Sequence, residues 1–219
     1  MSAGLEGIDA YPIHVELDIT RGLPGWSMVG LAENTVKESK DRVMSAITNS
    51  GYEIPFRRIT LNLAPAGIKK GGTGLDLPIA LGLLAAREII PKEALKGFLF
   101  LGELSLTGKL RPVRGVLSVA ILSQQTGIKG LILPEENLGE TFAIQKVPIW
   151  GAPDLPAVVE FLLGKGRLKE NNGHASRPPP RPSDEPDFAE VKGQAYAKRA
   201  LEVASSGFHN LLMEGSHTR

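Results

Sequence analysis

A Gly-rich run, Gly67–Gly74, holds two adjacent ammonium groups, Lys69 and Lys70, and the hydroxyl of Thr73. A loop of that composition can conform to a phosphate backbone, and its lysines can replace counterions without reading sequence. Further cations precede it: Lys37, Lys40, Arg42, Arg57 and Arg58. From Glu33 to Lys70, seven cationic side chains stand against four anionic ones. Lys37 and Lys40 are one helical turn apart and could share a face. Glu38 and Asp41 interleave with them, so an ordinary solvated helix face accounts for the same charges.

Two other segments suggest phosphate chemistry. Gly22–Leu31, GLPGWSMVGL, is Gly-rich and precedes a helical pattern. Pro24 removes a donor and no Lys-Ser/Thr pair follows, so two turns around a short strand describe it better than a phosphate loop. Near the C-terminus, VKGQAYAKRALEVASSGFHNLLM reads as a Gly-Gln turn and an amphipathic helix, then an apolar strand at Leu211–Met213. Ala195, Ala200, Leu201 and Ala204 are that helix's expected buried positions. A strand in that place would run into a GxxxxGK[ST] loop whose N–H groups cradle a nucleotide's phosphates. The chain instead reads Glu214-Gly-Ser-His-Thr-Arg219, with no Lys-Ser/Thr pair, as expected of the front of a longer protein. Met1–Gly4 is likewise a short lead-in to the first strand, as if trimmed. The histidines, His14, His174, His209 and His217, are too scattered for a metal site, and without cysteine no thiolate zinc site can form. Trp26, Trp150, Phe98, Phe100 and Phe161 sit in apolar runs and read as core rather than as stacking platforms.

These groups need positioning elements. Ile13, Val15, Leu17 and Ile19 alternate with polar residues, the period of a half-buried strand, and Trp26–Val29 is a second strand. Asn34 is placed to cap a helix that buries Val36, Val43, Ala46 and Ile47 and ends at Gly51. Ile59, Leu61 and Leu63 form the next strand. Asp76 is placed to cap a helix to about Ile90 that is apolar nearly all round and hence buried. Phe98–Leu101 reads as a strand and Glu103–Pro112 as a hairpin turning at Thr107-Gly108. Val116–Gln125 is a helix, Gly130–Leu133 and Val147–Trp150 are strands, and Asp154 caps a last helix to Leu163. Helices interleaved with strands, plus one hairpin, predict an α/β fold with a mixed sheet.

Composition agrees: 219 residues, 42% hydrophobic and 22% charged, fit one full domain plus a remnant. A net charge of +1 gives no reason by itself to expect nucleic acid. No apolar run is long enough to span a membrane, and the absence of cysteine and of a signal-like N-terminus fits a cytoplasmic protein. Order is expected to fail after Lys165, where five prolines fall within Gly173–Asp187. The organisation expected is one domain over 1–166, a Pro-rich linker over 167–187 and an incomplete module over 188–219.

Four segments, GLPGWSMVGL (Gly22–Leu31), TVKESKDRVMSAITNSGY (Thr35–Tyr52), ITLNLAPA (Ile59–Ala66) and LDLPIALGLLAA (Leu75–Ala86), closely resemble the N-terminal domain of the ComM/YifB-like branch of the magnesium-chelatase-like AAA+ ATPases. The likeness runs in order over nearly the whole chain, and the C-terminal segment resembles the start of their AAA+ module. Leu101–Asn137 is also similar to the proteolytic domain of Lon, which shares its fold with a ribosomal-protein domain. In Lon a lysine activates a serine hydroxyl. By resemblance the serine's position falls on Gly74 and the lysine's on Val119, neither of which can do that chemistry.

The resemblance implies a protease-inactive regulatory domain ahead of an ATPase motor. The complete protein would bind ATP and magnesium, form a homo-oligomeric ring (a hexamer) and act on DNA by branch migration during natural transformation. This chain alone would carry no cofactor. Val191, Lys192 and Gly193 would edge the nucleotide pocket of the complete protein. Lys37, Lys40, Arg57, Arg58, Lys69 and Lys70 are the candidates for DNA contact. Two alternatives are a Lon-like peptidase with a displaced dyad around Thr73 and a magnesium-chelatase motor subunit.

Overall fold

A computed structural model describes residues 1–54, 57–171 and 188–215. Contacts divide the chain into two units, Met1–Ser176 and Arg177–Arg219. In the first, strands β1 (Ser2–Glu6), β2 (Asp9–Thr20) and β3 (Gly25–Val29) precede helices α1 (Asn34–Lys37) and α2 (Ser39–Asn49). β4 (Arg58–Ala64), α3 (Asp76–Ala86), the short α4 (Lys92–Leu95) and β5 (Phe98–Phe100) follow. Then come the hairpin β6 (Glu103–Leu104) and β7 (Leu110–Arg111), α5 (Val116–Gln125), β8 (Gly130–Pro134), β9 (Ile149–Ala152), α6 (Leu155–Leu162) and β10 (Lys169–Glu170). The second unit holds α7 (Ala195–Gly207).

Both four-stranded sheets are mixed. The first runs β1-β2-β4-β3, with β2 antiparallel to β4 and β3 parallel to it. The second runs β10-β9-β8-β5, parallel except for β10. The alternation in β2 and β4 has the consequence its period predicts. Ile13, Leu61 and Leu63 are buried, while His14, Glu16 and Asp18 face solvent. α3 and α5 both pack on β2. α3 is buried on every side, through Leu77, Ile79, Ala80, Leu81, Leu83 and Leu84, so its all-round apolar composition meets apolar neighbours everywhere. Gly82 lets helix and strand approach closely: a Cβ there would lie 2.7 Å from Leu17 Cδ1. Phe98, Trp150 and Phe161 form an edge-to-face and tilted cluster packed against the same core, as their apolar surroundings predict.

Several local expectations are corrected. β1 was hidden in the apparent lead-in; Gly7 at φ +63° turns it into a hairpin with β2. The helix at Asn34 breaks at Glu38, and the side chain of Asn34 caps nothing among the described residues. Asp76 is not a cap: its carboxylate is taken by Arg42 and the Leu104 N–H. α3 ends at Ala86, before a turn at Glu88 with φ +59°. Asp154, by contrast, accepts from the Ala157 N–H at 2.8 Å, a true N-cap. Order does not fail at Lys165. β10 pairs with β9, and Asn171 donates to the Thr141 carbonyl, because an edge of the second sheet is open to receive them. The Pro-rich stretch Gly173–Asp187 lies outside the described residues, as do Ser216–Arg219.

In the second unit Gly193 and Gln194, at φ +73° and +56°, make the expected turn into α7. Of the helix positions expected to be buried, Ala204 is buried, Ala200 and Leu201 are half-buried and Ala195 is exposed. Leu211–Met213 is not a strand. A lone strand has no ladder partner, and the described part of this unit offers it only a helix and a short turn.

Candidate functional site

A groove of about 500 Å³ lies between three stretches of backbone. They are Ala3–Leu5 of β1, Gly71–Leu75 ahead of α3 and Pro112–Arg114 ahead of α5. Leu101 and Val119 supply apolar lining, and Glu33, Glu103 and Arg114 its charged groups. Gly74 and Val119 thus line one cavity, brought together although 45 positions separate them in the sequence. A Cβ on Gly74 would lie 2.8 Å from Leu101 Cδ1, so a side chain there requires Leu101 to move. Thr73 is the one hydroxyl in the lining, and neither lysine nor histidine is among the lining residues. An alcohol needs a well-placed base before it attacks a carbonyl, and a carboxylate is a weak one for that task.

The Gly-rich wall is pinned at its end. Gly102 N–H donates to the Gly74 carbonyl at 2.9 Å, and Leu77 N–H donates to the Gly102 carbonyl at 3.0 Å. Next to them, Asp76 Oδ2 accepts from Arg42 Nε at 2.8 Å and Oδ1 from the second guanidinium nitrogen at 3.1 Å. Burial pushes the Asp76 carboxyl up from its ordinary range, against the opposing pull of Arg42 and the Leu104 N–H. The hydrogen bond to Asp76 pushes the Arg42 guanidinium up. On the facing wall, Gly115 at φ +76° opens α5, and Leu5 packs so near that a Cβ would meet its side chain.

The cations do not gather into one patch. Lys70 is fully buried; its ammonium donates to the Pro65 carbonyl, and burial pushes its pKa down. Its backbone bridges Leu31 and Glu33 at 3.1 and 2.9 Å, which fastens the loop at position 70 and turns the side chain inward. Arg42 is committed to Asp76. Lys69 is exposed beside Leu31–Asn34, and its carbonyl accepts from the Tyr11 hydroxyl at 3.0 Å. Lys40 and Arg57 line a separate, largely apolar groove of about 680 Å³ with Trp26, Met44 and Tyr52. Trp26 is therefore only partly a core residue, contrary to its reading from the sequence. Lys37 and Arg58 are exposed.

Sequence reasoning missed the Arg42–Asp76 pair and the part of β1 in the groove. For β1 a signal existed, since Gly7-Ile8 is a two-residue hairpin turn with Gly in front. For the pair there was none, since 34 positions separate its members. No group of three metal-ligating side chains occurs among the described residues. In the second unit Val191, Lys192 and Gly193 are exposed. The chain has no GxxxxGK[ST] sequence beside them.

The family model described as subunit ChlI of Mg-chelatase matches residues 15–137. A second, magnesium chelatase subunit ChlI, matches residues 187–218. YifB of Escherichia coli is 45% identical over 215 residues, covering 95% of this chain and 40% of that protein. Competence protein ComM of Haemophilus influenzae is 41% identical over 216 residues, 95% of this chain and 41% of that protein. A Lon protease of Trichlorobacter lovleyi is 24% identical over 189 residues, 79% of this chain and 23% of that protein. The chain spans about two-fifths of the length of the YifB and ComM relatives it matches. With both family models in place, and with a mixed α/β first unit of Lon-like fold, the chain belongs to the Mg-chelatase subunit ChlI family of AAA+ proteins, alongside YifB and ComM.

Proposed function

We propose that this chain is the protease-inactive N-terminal domain, with the start of the motor module, of a ComM-like AAA+ ATPase. The observation that carries this is the groove in which Gly74 and Val119 lie together with no amine or imidazole beside Thr73. A Lon-like scaffold without an activated nucleophile has no acyl-transfer chemistry, so its use is binding or assembly. The complete protein would bind ATP with magnesium, assemble as a homo-oligomeric ring (a hexamer) and act on DNA in branch migration, as a cytoplasmic machine. Val191–Gly193 would edge its nucleotide pocket. This domain would touch DNA through Lys69, Lys37, Lys40, Arg57 and Arg58, all exposed, and not through buried Lys70.

The test is fluorescence anisotropy with labelled single-stranded, duplex and branched DNA across a salt series, beside a casein digest. Binding that weakens steeply with salt and intact casein are the expected results. No binding at low salt removes DNA from this domain, and cleaved casein overturns the protease-inactive reading. The name of the matched family favours one second reading, a motor subunit of a magnesium chelatase. Magnesium-dependent metal insertion into a porphyrin by the full-length protein would decide for it.

A further inference from the structure

Three consecutive residues of β1 (Ala3, Gly4 and Leu5) line the groove. Successive side chains of a strand point to opposite faces, so three in a row border one cavity only when the strand turns its edge toward it. β1 is the outer strand of its sheet and pairs with β2 alone. The two-residue turn makes Glu6 and Asp9 the closing hydrogen-bonded pair, so Gly4 and Ser2 also direct their peptide groups at β2. Met1, Ala3 and Leu5 direct theirs outward.

The Met1 carbonyl accepts from Phe100 N–H at 3.0 Å, which confirms that parity. β5 ends there, and the next donors turn away, Leu101 N–H to the Ile132 carbonyl and Gly102 N–H to that of Gly74. Past Met1, the outward peptide groups of Ala3 and Leu5 meet no backbone partner among the described residues, although Ala3 is only 5% exposed. An unpaired peptide group at the depth of Ala3 costs free energy, and an added strand relieves that cost; Leu5, 42% exposed, leaves its own group open to the same partner. Leu101 and Val119 offer an apolar seat. Glu33 and Glu103, also in the lining, make no direct ion pair among the described residues, although Glu103 lies within the field of Arg42.

We propose that this groove takes an extended polypeptide as an added strand on β1. It pairs with the peptide groups of Ala3 and Leu5 and seats an apolar side chain against Leu101 and Val119. A basic side chain meets Glu33 or Glu103. That the peptide is held without being cut rests on the protease-inactive reading above; the strand addition itself does not. A nucleic-acid strand is disfavoured here because the two carboxylates outnumber the one cation of the lining, Arg114.

The probe is a fluorescein-labelled octapeptide alternating valine with lysine, titrated with the 219-residue chain and followed by anisotropy. Its companions are the same peptide with glutamate for lysine and one N-methylated along the edge that would face β1. The expected result is saturable binding, about ten-fold weaker for the glutamate peptide and lost on N-methylation. Leu5→Pro removes one outward N–H at a sheet edge, where proline is tolerated, and should also weaken binding about ten-fold. Glu33→Gln with Glu103→Gln should erase the preference for lysine. No saturable binding up to about 1 mM overturns the proposal, as does binding indifferent to N-methylation. If Leu5→Pro melts early by circular dichroism, the N-methylated peptide decides, because it leaves the protein unchanged. Binding followed by cleavage, read by mass spectrometry, leaves strand addition standing and overturns only the protease-inactive reading.

Discussion

Arg42 on α2 holds Asp76, the first residue of α3, through two parallel hydrogen bonds of 2.8 and 3.1 Å, with Asp76 almost wholly out of solvent and Arg42 at its rim. The carboxylate also accepts from the Leu104 N–H at 3.2 Å, so one buried charge ties two helices to the β6–β7 hairpin. Removing the guanidinium leaves that charge without its counter-ion. Arg42→Ala should therefore cost about 3–5 kcal/mol, measured by urea unfolding at pH 7. Replacing both partners by well-packed apolar residues should cost much less.

The same pair fixes a pH dependence. Burial already holds the Asp76 carboxyl above its ordinary value, and Arg42 pulls against that rise. Without Arg42 the folded-state value climbs further. An acid whose folded pKa lies above its unfolded one weakens the fold as pH rises from the unfolded value through the folded one. The deficit of Arg42→Ala should thus shrink toward acid, as protonation of Asp76 is favoured in both proteins, and should grow toward neutrality. Unfolding free energies at pH 4 and pH 7 check this; a deficit independent of pH would mean that Asp76 does not ionise in the fold.

Lys69 and Lys70 are neighbours in sequence and opposites in the structure: the first is exposed, the second fully buried with its ammonium on the Pro65 carbonyl. Lys69→Glu should change stability by no more than about 0.5 kcal/mol. Lys70→Glu places an anion, in the place of a buried side chain, beside a carbonyl oxygen and should cost about 3 kcal/mol or more, or prevent folding. Thermal melts of the two variants decide it, and equal melting temperatures would mean that Lys70 is solvated.

Gly74 faces Leu101 so closely that a Cβ would lie 2.8 Å from its Cδ1. Gly74→Ala should cost about 1–3 kcal/mol through overpacking. Leu101→Ala alone should cost about 2–5 kcal/mol through the cavity it leaves. Together they should cost less than the sum, because the second change makes room for the first. A double-mutant cycle measures the coupling, and strict additivity would mean that the two side chains do not meet.

Much of the fold was legible because its periods are regular. The alternation of Ile13–Ile19 and Ile59–Leu63, the all-round apolar α3 and the cap at Asp154 each depend on neighbours in sequence. What escaped depends on distance. Asp76 has the sequence of a cap, yet a stronger partner 34 residues back claims its carboxylate. Lys70 has the sequence of a phosphate ligand, yet its backbone bridges the turn after β3 and draws the side chain inward. The meeting of Gly74 and Val119 in one groove follows from the resemblance to Lon and the packing of α5 on β2, not from any local pattern. β1 escaped although Gly7-Ile8 marks its turn, because five residues ahead of a Gly turn resemble a tail.

Lys40 and Arg57 border a groove that Trp26 and Tyr52 also line, whereas Lys69 lies apart in a recess with Glu33. If DNA phosphates meet this domain, the two places should respond differently. A lysine or arginine on a phosphate contributes about one unit to the slope of log affinity against log salt. Lys40→Gln and Arg57→Gln should each flatten that slope by about one unit, and do so equally for different sequences. Lys69→Gln should have a smaller effect, because Glu33 offsets the single cation of that recess, whereas Lys40 and Arg57 together outweigh Glu53 in theirs. Anisotropy at several salt concentrations gives each slope directly. If Lys69→Gln flattens it and the other two do not, the contact lies beside the Gly-rich loop, and the groove at Trp26 is left to an uncharged partner.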